Sequence, residues 1–377
     1  MSSNLRVAIV HDWLTAMGGA EYTLQQLLKL YPGADIYTMV DILPENERQW
    51  LKGHRIFTSP LQSFPFLAKR YRQMIWMMPF LIEQFDLEKY DLIISDSHAV
   101  AKGVIVHPDQ KHLAYIYSPM RYAWDLTYEH DRIGVLGSGL KRFFLRHWFF
   151  RFRLWDAASS LRPDSIIAIS HFIRKRIRKS WGREASVIYP PVDVEGSPFS
   201  KEKGDYYITV SRLVPYKRID LIVEAFRTMP DKKLIVIGDG PMYNELSKNL
   251  PANVKLEGYL GRNEMLQKLS FAKAFIFMPK EDFGIAPLEA QACGTPVIAY
   301  GCGGAAETVR GLDKTDPTGV FVPYQDVESL AEAIGIFESN ADKFDPENCR
   351  EWAMKFSQSR FREEFSQHIE KLMKDEE

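Results

Sequence analysis

Short apolar runs, each closed by a polar or glycine-bearing turn, recur in two series along the chain. The first series is "RVAIV" (6–10), "DLIISD" (91–96), "HLAYIY" (112–117), "SIIAIS" (165–170) and "ASVIYPPVD" (185–193). The second is "YYITVS" (206–211), "KLIVIGDG" (233–240), "VKLEGYL" (254–260), "AFIFMP" (274–279) and "PVIAY" (296–300). Near-continuous apolar runs of this length suit strands buried on both faces. Helical patterns lie between most of them, the first over residues 20–30. Strands that alternate with helices indicate an α/β architecture with a parallel sheet.

Between the series lies "EGSPFSKEKG" (195–204), a polar stretch with a proline and two glycines that reads as a linker. The chain therefore divides into two Rossmann-like α/β domains, 1–195 and 196–348. A charged amphipathic helix over 349–377 follows and is expected to pack back on the first domain. Sheets of this kind bind ligands at the carboxyl ends of their strands, so two facing domains would place their sites across a cleft.

Composition narrows the function. Lys plus Arg number 48 against 49 Asp plus Glu, a net charge of −1, so no global charge argues for nucleic acid. The three cysteines, Cys293, Cys302 and Cys349, have neither disulfide nor zinc spacing, which fits a reducing cytosol. No signal segment is visible before the first strand, and no apolar run reaches the ~20 residues of a spanning helix. The expectation is a cytoplasmic protein. Three basic-aromatic runs interrupt the even charge, at 64–80, 141–155 and 171–183. They read either as buried aromatic helix faces with solvated cations or as a peripheral surface for anionic lipid on the inner face of the membrane.

Candidate ligand groups cluster at strand ends. Gly18 and Gly19 follow the first strand and open a helix, where backbone amides can approach a phosphate, or where they form an ordinary turn. The spacing is not G-x-G-x-x-G, which argues against a dinucleotide. Arg212 and Lys217 in "SRLVPYKRID" pair a planar fork with a point charge, as a pyrophosphate requires; solvated surface charge is the plainer reading. Gly238 in "GDGP" permits close backbone approach, and Tyr259 and Leu260 end the next strand, where they could face a flat base. In "EDFGIAPLEA", Glu281 and Glu289 flank Phe283, Gly284, Ile285 and the helix-opening Pro287. Glu289 is expected in the first helical turn, as a hydroxyl acceptor or as a helix-dipole partner. No His or second acid cluster accompanies the pair, which disfavours a metal site.

These segments resemble a known family. "EDFGIAPLEA" is similar to the E-x(7)-E motif of retaining glycosyltransferases of the GT-B fold. "SRLVPYKRIDLIVEAF", "VIGDGP", "GTPVIAYGCGGAAETV" and "GVFVP" follow in the order seen in glycosyltransferase family 4. "HDWLTAMGGAE" and "YSPMRYAWD" resemble bacterial mannosyltransferases that use GDP-mannose to build O-antigens and exopolysaccharides.

The resemblance implies a nucleotide-sugar donor, bound as a substrate with no cofactor and no metal, and a saccharide acceptor carried on a lipid. Arg212 and Lys217 would neutralise the diphosphate. Glu289 would hold the ribose. Glu281 and the backbone at Phe283, Gly284 and Ile285 would face the transferred sugar and phosphates, with Gly18 and Gly19 approaching from the other domain. Retention would proceed by front-face attack, the leaving phosphate taking the acceptor's proton. Relatives carry a His that contacts the donor sugar and the reacting centre where this chain has Tyr117, which would take that catalytic place as a hydrogen-bond donor; His98 could serve nearby, or be a structural His, and His98, Arg121 and Asp125 are acceptor-side candidates. An epimerase on the same fold and a non-catalytic nucleotide-sugar-binding protein are the alternatives.

Overall fold

The computed structural model describes residues 5–65, 70–121, 123–124 and 139–374. The chain forms two compact units, Met1–Pro190 with Phe361–Glu377, and Pro191–Arg360.

The first unit runs β1 (Val7–His11), α1 (Gly19–Leu30), β2 (Asp35–Thr38), β3 (Ile56–Thr58), α2 (Met78–Ile82), β4 (Leu92–Ser97), β5 (Lys111–Ile116), α3 (Gly139–Ser159), β6 (Ser165–Ala168), α4 (His171–Trp181) and β7 (Ser186–Val187). All pairings are parallel, in the order β3-β2-β1-β4-β5-β6-β7. Every residue of β1 and β4 is buried, because helices cover both faces. The polar residues that close these strands, His11 and Ser95 to Ser97, are buried with them and must find partners inside the protein.

The second unit runs β8 (Tyr207–Val210), α5 (Ile219–Arg227), β9 (Leu234–Ile237), α6 (Tyr243–Lys248), β10 (Val254–Gly258), α7 (Arg262–Ser270), β11 (Ala274–Phe277), α8 (Ile285–Ala292), β12 (Val297–Tyr300), α9 (Ala305–Thr308), β13 (Gly319–Val322), α10 (Val327–Ser339) and α11 (Pro346–Met354). Its parallel sheet has the order β10-β9-β8-β11-β12-β13. Both sheets are thus doubly wound. The strand order reverses between β1 and β4 in the first and between β8 and β11 in the second. Those crevices are where such sheets hold ligands.

Three strands escape the sequence pattern. β2 begins on the charged Asp35, β3 has only three residues at the sheet edge, and β13 lies in "GVFVP", recognised as a motif and not as a strand. The run over 185–193 shrinks to Ser186–Val187, because Pro190 and Pro191 bring no amide to a ladder.

The single terminal helix expected from residue 349 is two helices, α11 and α12 (Gln358–Lys374). Val192 donates its amide to the Phe356 carbonyl at 2.8 Å and bridges Ser357, so the backbone there is committed to strand-like pairing. Beyond it, Phe361 and Phe365 of α12 pack on Tyr115 of the first unit, with ring centroids 5.7 and 6.0 Å away.

Candidate functional site

In the second unit, the turns after β8, β9 and β10 are stitched together. Ser211 and Leu213 donate amides to the Ile237 and Asp239 carbonyls at 3.0 and 2.9 Å, and Gly238 donates to Gly258 at 2.8 Å. Gly238 has φ +143°, and a Cβ there would lie 1.8 Å from the Ser211 carbonyl oxygen, so only glycine lets the two turns approach. This contact fixes the start of the loop that carries Arg212 and Lys217. Arg212 is exposed and makes no side-chain hydrogen bond or ion pair with the described residues. Tyr259, just past β10, is 81% exposed, while Leu260 is half-buried against the core beside it.

Across the β8/β11 crevice, Lys217 Nζ meets Glu281 Oε1 at 2.5 Å. Both side chains are about four-fifths buried, with exposures of 18% and 21%. Glu281 is pinned by its backbone: its carbonyl accepts the Gly304 amide at 2.8 Å, and it bridges Gly303. Gly284 then turns through φ +95° to cap α8, a left-handed conformation that suits glycine. Phe283 is buried against Phe356, so only its backbone can meet a ligand. Ile285 and Gly284 are half-buried at the mouth of α8.

Glu289 is the fifth residue of α8, just past its first turn, because the helix begins at Ile285. Its carboxylate serves no helix N-terminus. Oε1 instead accepts from Arg262 Nη1 of α7 at 2.7 Å, a partner that nothing in the local sequence signals. The second unit thus brings Lys217 and Glu281 into contact, with Arg212 on the same loop as Lys217 and Gly238, Tyr259 and Leu260 in the adjoining turns.

In the first unit, the ends of β1 and β4 hold groups that sequence reasoning passed over. His11 and Asp96 are register partners with no exposed surface. His11 Nδ1 lies 2.8 Å from Asp96 Oδ2, and Nε2 lies 3.7 Å from Glu21 Oε1 in the first turn of α1. Burial works to lower the His11 pKa, but the two carboxylates outweigh it and hold it up at about 10. Burial pushes the Asp96 carboxyl upward. Asp12, fully buried, accepts the amides of His98, Ala99, Val100 and Ala101 at 2.6 to 2.8 Å. The available signal was "VHDW" itself, a His and an Asp closing an apolar strand.

Tyr117 follows β5 with its hydroxyl turned inward. It donates to the Ala20 carbonyl at 3.4 Å and faces Asp96 and Thr23. Burial, then the Asp96 charge, raises its pKa well above the ordinary phenol value. His98 is one-third exposed, with Nδ1 3.1 Å from Asp12 and its ring edge-on to Trp13 at 4.5 Å. Gly18 and Gly19 are half-buried at the start of α1, and Arg121 is half-buried after β5. Asp125 lies outside the described residues. Among the described residues, no group of three or more His, Cys, Asp or Glu is placed to hold a metal ion.

This cluster predicts an alkaline weakness. The folded-state pKa of His11 lies above its ordinary 6.5, so its stabilisation is complete below about 6.5 and is lost as pH rises through about 10. The melting midpoint should fall from pH 7 to 10, with a shallower fall in His11→Gln. Equal slopes in the two proteins would contradict a buried imidazolium.

The glycosyl transferases group 1 family model matches residues 195–355, and that of Glycosyltransferase Family 4 matches residues 17–195. The chain belongs to glycosyltransferase family 4. A GDP-mannose-dependent monoacylated alpha-(1-6)-phosphatidylinositol monomannoside mannosyltransferase of Corynebacterium glutamicum is 30% identical over 202 residues, 45% of this chain and 52% of that protein. The family 4 chain thus spans about half the length of such relatives. The alpha-1,3/1,6-mannosyltransferase ALG2 of Kluyveromyces lactis is 24% identical, covering 86% of this chain and 74% of its own.

Among solved structures, sucrose-phosphate synthase from Thermosynechococcus elongatus aligns with a TM-score of 0.74 at 18% identity, covering 98% of this chain and 99% of that one. Anabaena Alr3699/HepE in complex with UDP-glucose aligns at 0.69 and 18%, covering 97% and 99%. At such identities the likeness concerns the fold, and the two doubly wound units of this family 4 chain are those of the GT-B fold.

Proposed function

We propose that this protein is a retaining, metal-independent glycosyltransferase that moves a hexose from a nucleotide-sugar donor to a saccharide acceptor. The favoured donor is GDP-mannose, and the favoured acceptor is lipid-linked, in cell-surface polysaccharide synthesis. The observation that carries this reading is the Lys217–Glu281 contact at the crevice where the second sheet reverses order, with Arg212 on the same loop as Lys217 and in no ion pair among the described residues. A diphosphate entering there offers Lys217 a stronger anion than Glu281. Lys217 then turns to the phosphate, and the released Glu281 accepts hydroxyls of the transferred sugar. Arg212 adds its fork to the same diphosphate. Arg262 holds Glu289 Oε1, and the second oxygen would accept from the ribose hydroxyls.

As the glycosidic bond to the diphosphate breaks, charge grows on the leaving oxygen, and fixed cations stabilise charge that develops in the transition state. The leaving phosphate takes the acceptor hydroxyl's proton, and the acceptor attacks the same face. No enzyme nucleophile is needed. The GDP-mannose-dependent relatives support GDP-mannose. A thermal-shift panel of GDP-, UDP- and ADP-sugars tests the donor. A ligand at about 100 times its Kd adds about 2.7 kcal/mol of apparent stability. GDP-mannose should give the largest shift; a larger shift with UDP-glucose would reassign the donor, and no shift with any would sink the reading.

The acceptor's lipid carrier is supported by α3. Phe149 and Phe152 are buried on one face, whereas Phe143, Phe144, Phe150 and Leu154 stand at least half exposed on another, with Arg151 alongside. Aromatics with neighbouring cations suit the headgroup region of an anionic bilayer. At low salt, vesicles containing phosphatidylglycerol should retain the protein, and a Phe143→Ser, Phe144→Ser, Phe150→Ser variant should stay in solution. Equal retention would remove α3 from the membrane surface.

A further inference from the structure

Lys102, in the turn whose amides Asp12 collects, is 1% exposed, as befits a charge with specific partners. Its Nζ donates to Asp156 Oδ1 at 2.7 Å and to Ser159 Oγ at 2.9 Å, both on α3. The ammonium also lies over the Trp155 and Trp181 rings, 4.9 and 4.8 Å from their centroids. The other Asp156 oxygen, Oδ2, accepts two indole N–H groups, Trp124 Nε1 and Trp181 Nε1, each at 2.7 Å.

Trp124 differs from the other partners in where it sits. It ends the described part of the "YSPMRYAWD" segment, which follows β5. The same segment is gripped twice more: Arg153 Nη1 of α3 donates to the Ala123 carbonyl at 2.8 Å, and Arg176 Nη1 of α4 donates to Ser118 Oγ at 2.7 Å. Among its described residues, Ala123 and Trp124 to Met120, at 3.0 and 3.2 Å, and Tyr117 to Ser97, at 2.9 Å, add backbone bonds. These described residues belong to no helix or strand. Two side-chain bonds from α3, through Asp156 and Arg153, help to hold them.

We propose that Asp156 and Arg153 are positioning residues that seat residues 118–121 and 123–124 for the acceptor, so that acceptor capture, and not donor handling, depends on where α3 lies. This rests on the reading of Arg121 in that segment as acceptor-side. Lys102 and Trp181 satisfy the buried carboxylate, whereas Trp124 and Arg153 carry the connection to the segment.

The shared oxygen supplies a matched pair of variants. Trp124→Phe and Trp181→Phe each remove one N–H donor from Asp156 Oδ2 and keep an aromatic ring. Hydrogen exchange of the peptide covering 117–124 should accelerate about tenfold in Trp124→Phe, the scale of one lost hydrogen bond, and stay near wild type in Trp181→Phe. The acceptor KM should rise by a similar factor in Trp124→Phe alone, with the donor KM unchanged. Equal exchange in the two variants, or a donor KM that rises with the acceptor KM, overturns the proposal. If wild-type protein transfers no sugar, the proposed activity fails, and the exchange contrast still decides whether Asp156 seats the segment.

Discussion

Replacing Lys217 by alanine should lower kcat by about 10² to 10³-fold, the scale of losing one preorganised charge from a transition state. The melting midpoint should move little. Lys217 and Glu281 each keep about a fifth of their surface in water, so the carboxylate left behind can be solvated. Lys217→Arg should recover only part of the rate, since a planar fork does not replace a point charge. Because Lys217 is assigned to the leaving diphosphate, kcat should suffer more than donor binding. Near-normal turnover of a folded Lys217→Ala protein would remove the residue from the reaction.

Replacing Gly238 by alanine should be the most damaging small substitution in the second unit. The new methyl group would stand 1.8 Å from the Ser211 carbonyl oxygen, in a backbone conformation that L-residues rarely adopt. The turns after β8 and β9 would have to separate, carrying Arg212 with them. A cost of about 2 to 4 kcal/mol is expected, with weakened donor binding in whatever remains folded. Gly335→Ala provides the contrast. Nothing lies within 4 Å of a Cβ there, in the middle of α10, so a gain of about 0.5 to 1 kcal/mol is expected. Chemical denaturation of both variants checks the pair, and comparable stability would contradict the interlocked turns.

The fold was largely legible because buried parallel strands leave apolar runs, and helices between them leave a different period. What escaped were strands too short or too charged at one end for that pattern, β2 and β3 above all. The site was legible one residue at a time. Lys217 and Glu281 each stood out by position at a strand end, but their contact spans 64 residues and arises only when β8 and β11 become neighbours. Arg262 and Glu289 meet in the same way, through α7 and α8. His11 and Asp96 are 85 residues apart and were concealed as ends of apolar runs.

The basic-aromatic run at 141–155 had two sequence readings, a buried face and a surface. The buried face accounts for part of the run: α3 buries Phe149 and Phe152, while Phe143, Phe144 and Phe150 face out. Sequence spacing separates those faces only once it is known which side the sheet covers.

Glycosyl transfer with the leaving diphosphate as proton acceptor is tested by a single-turnover reaction of the full chain with GDP-mannose and a lipid-linked saccharide in excess EDTA, with the new linkage assigned by NMR. One GDP should be released per mannose transferred, the product should keep the donor's anomeric configuration, and Lys217→Ala should lose both. An inverted anomer, activity that returns only with added Mg²⁺, or nucleotide-sugar binding without any turnover would contradict it.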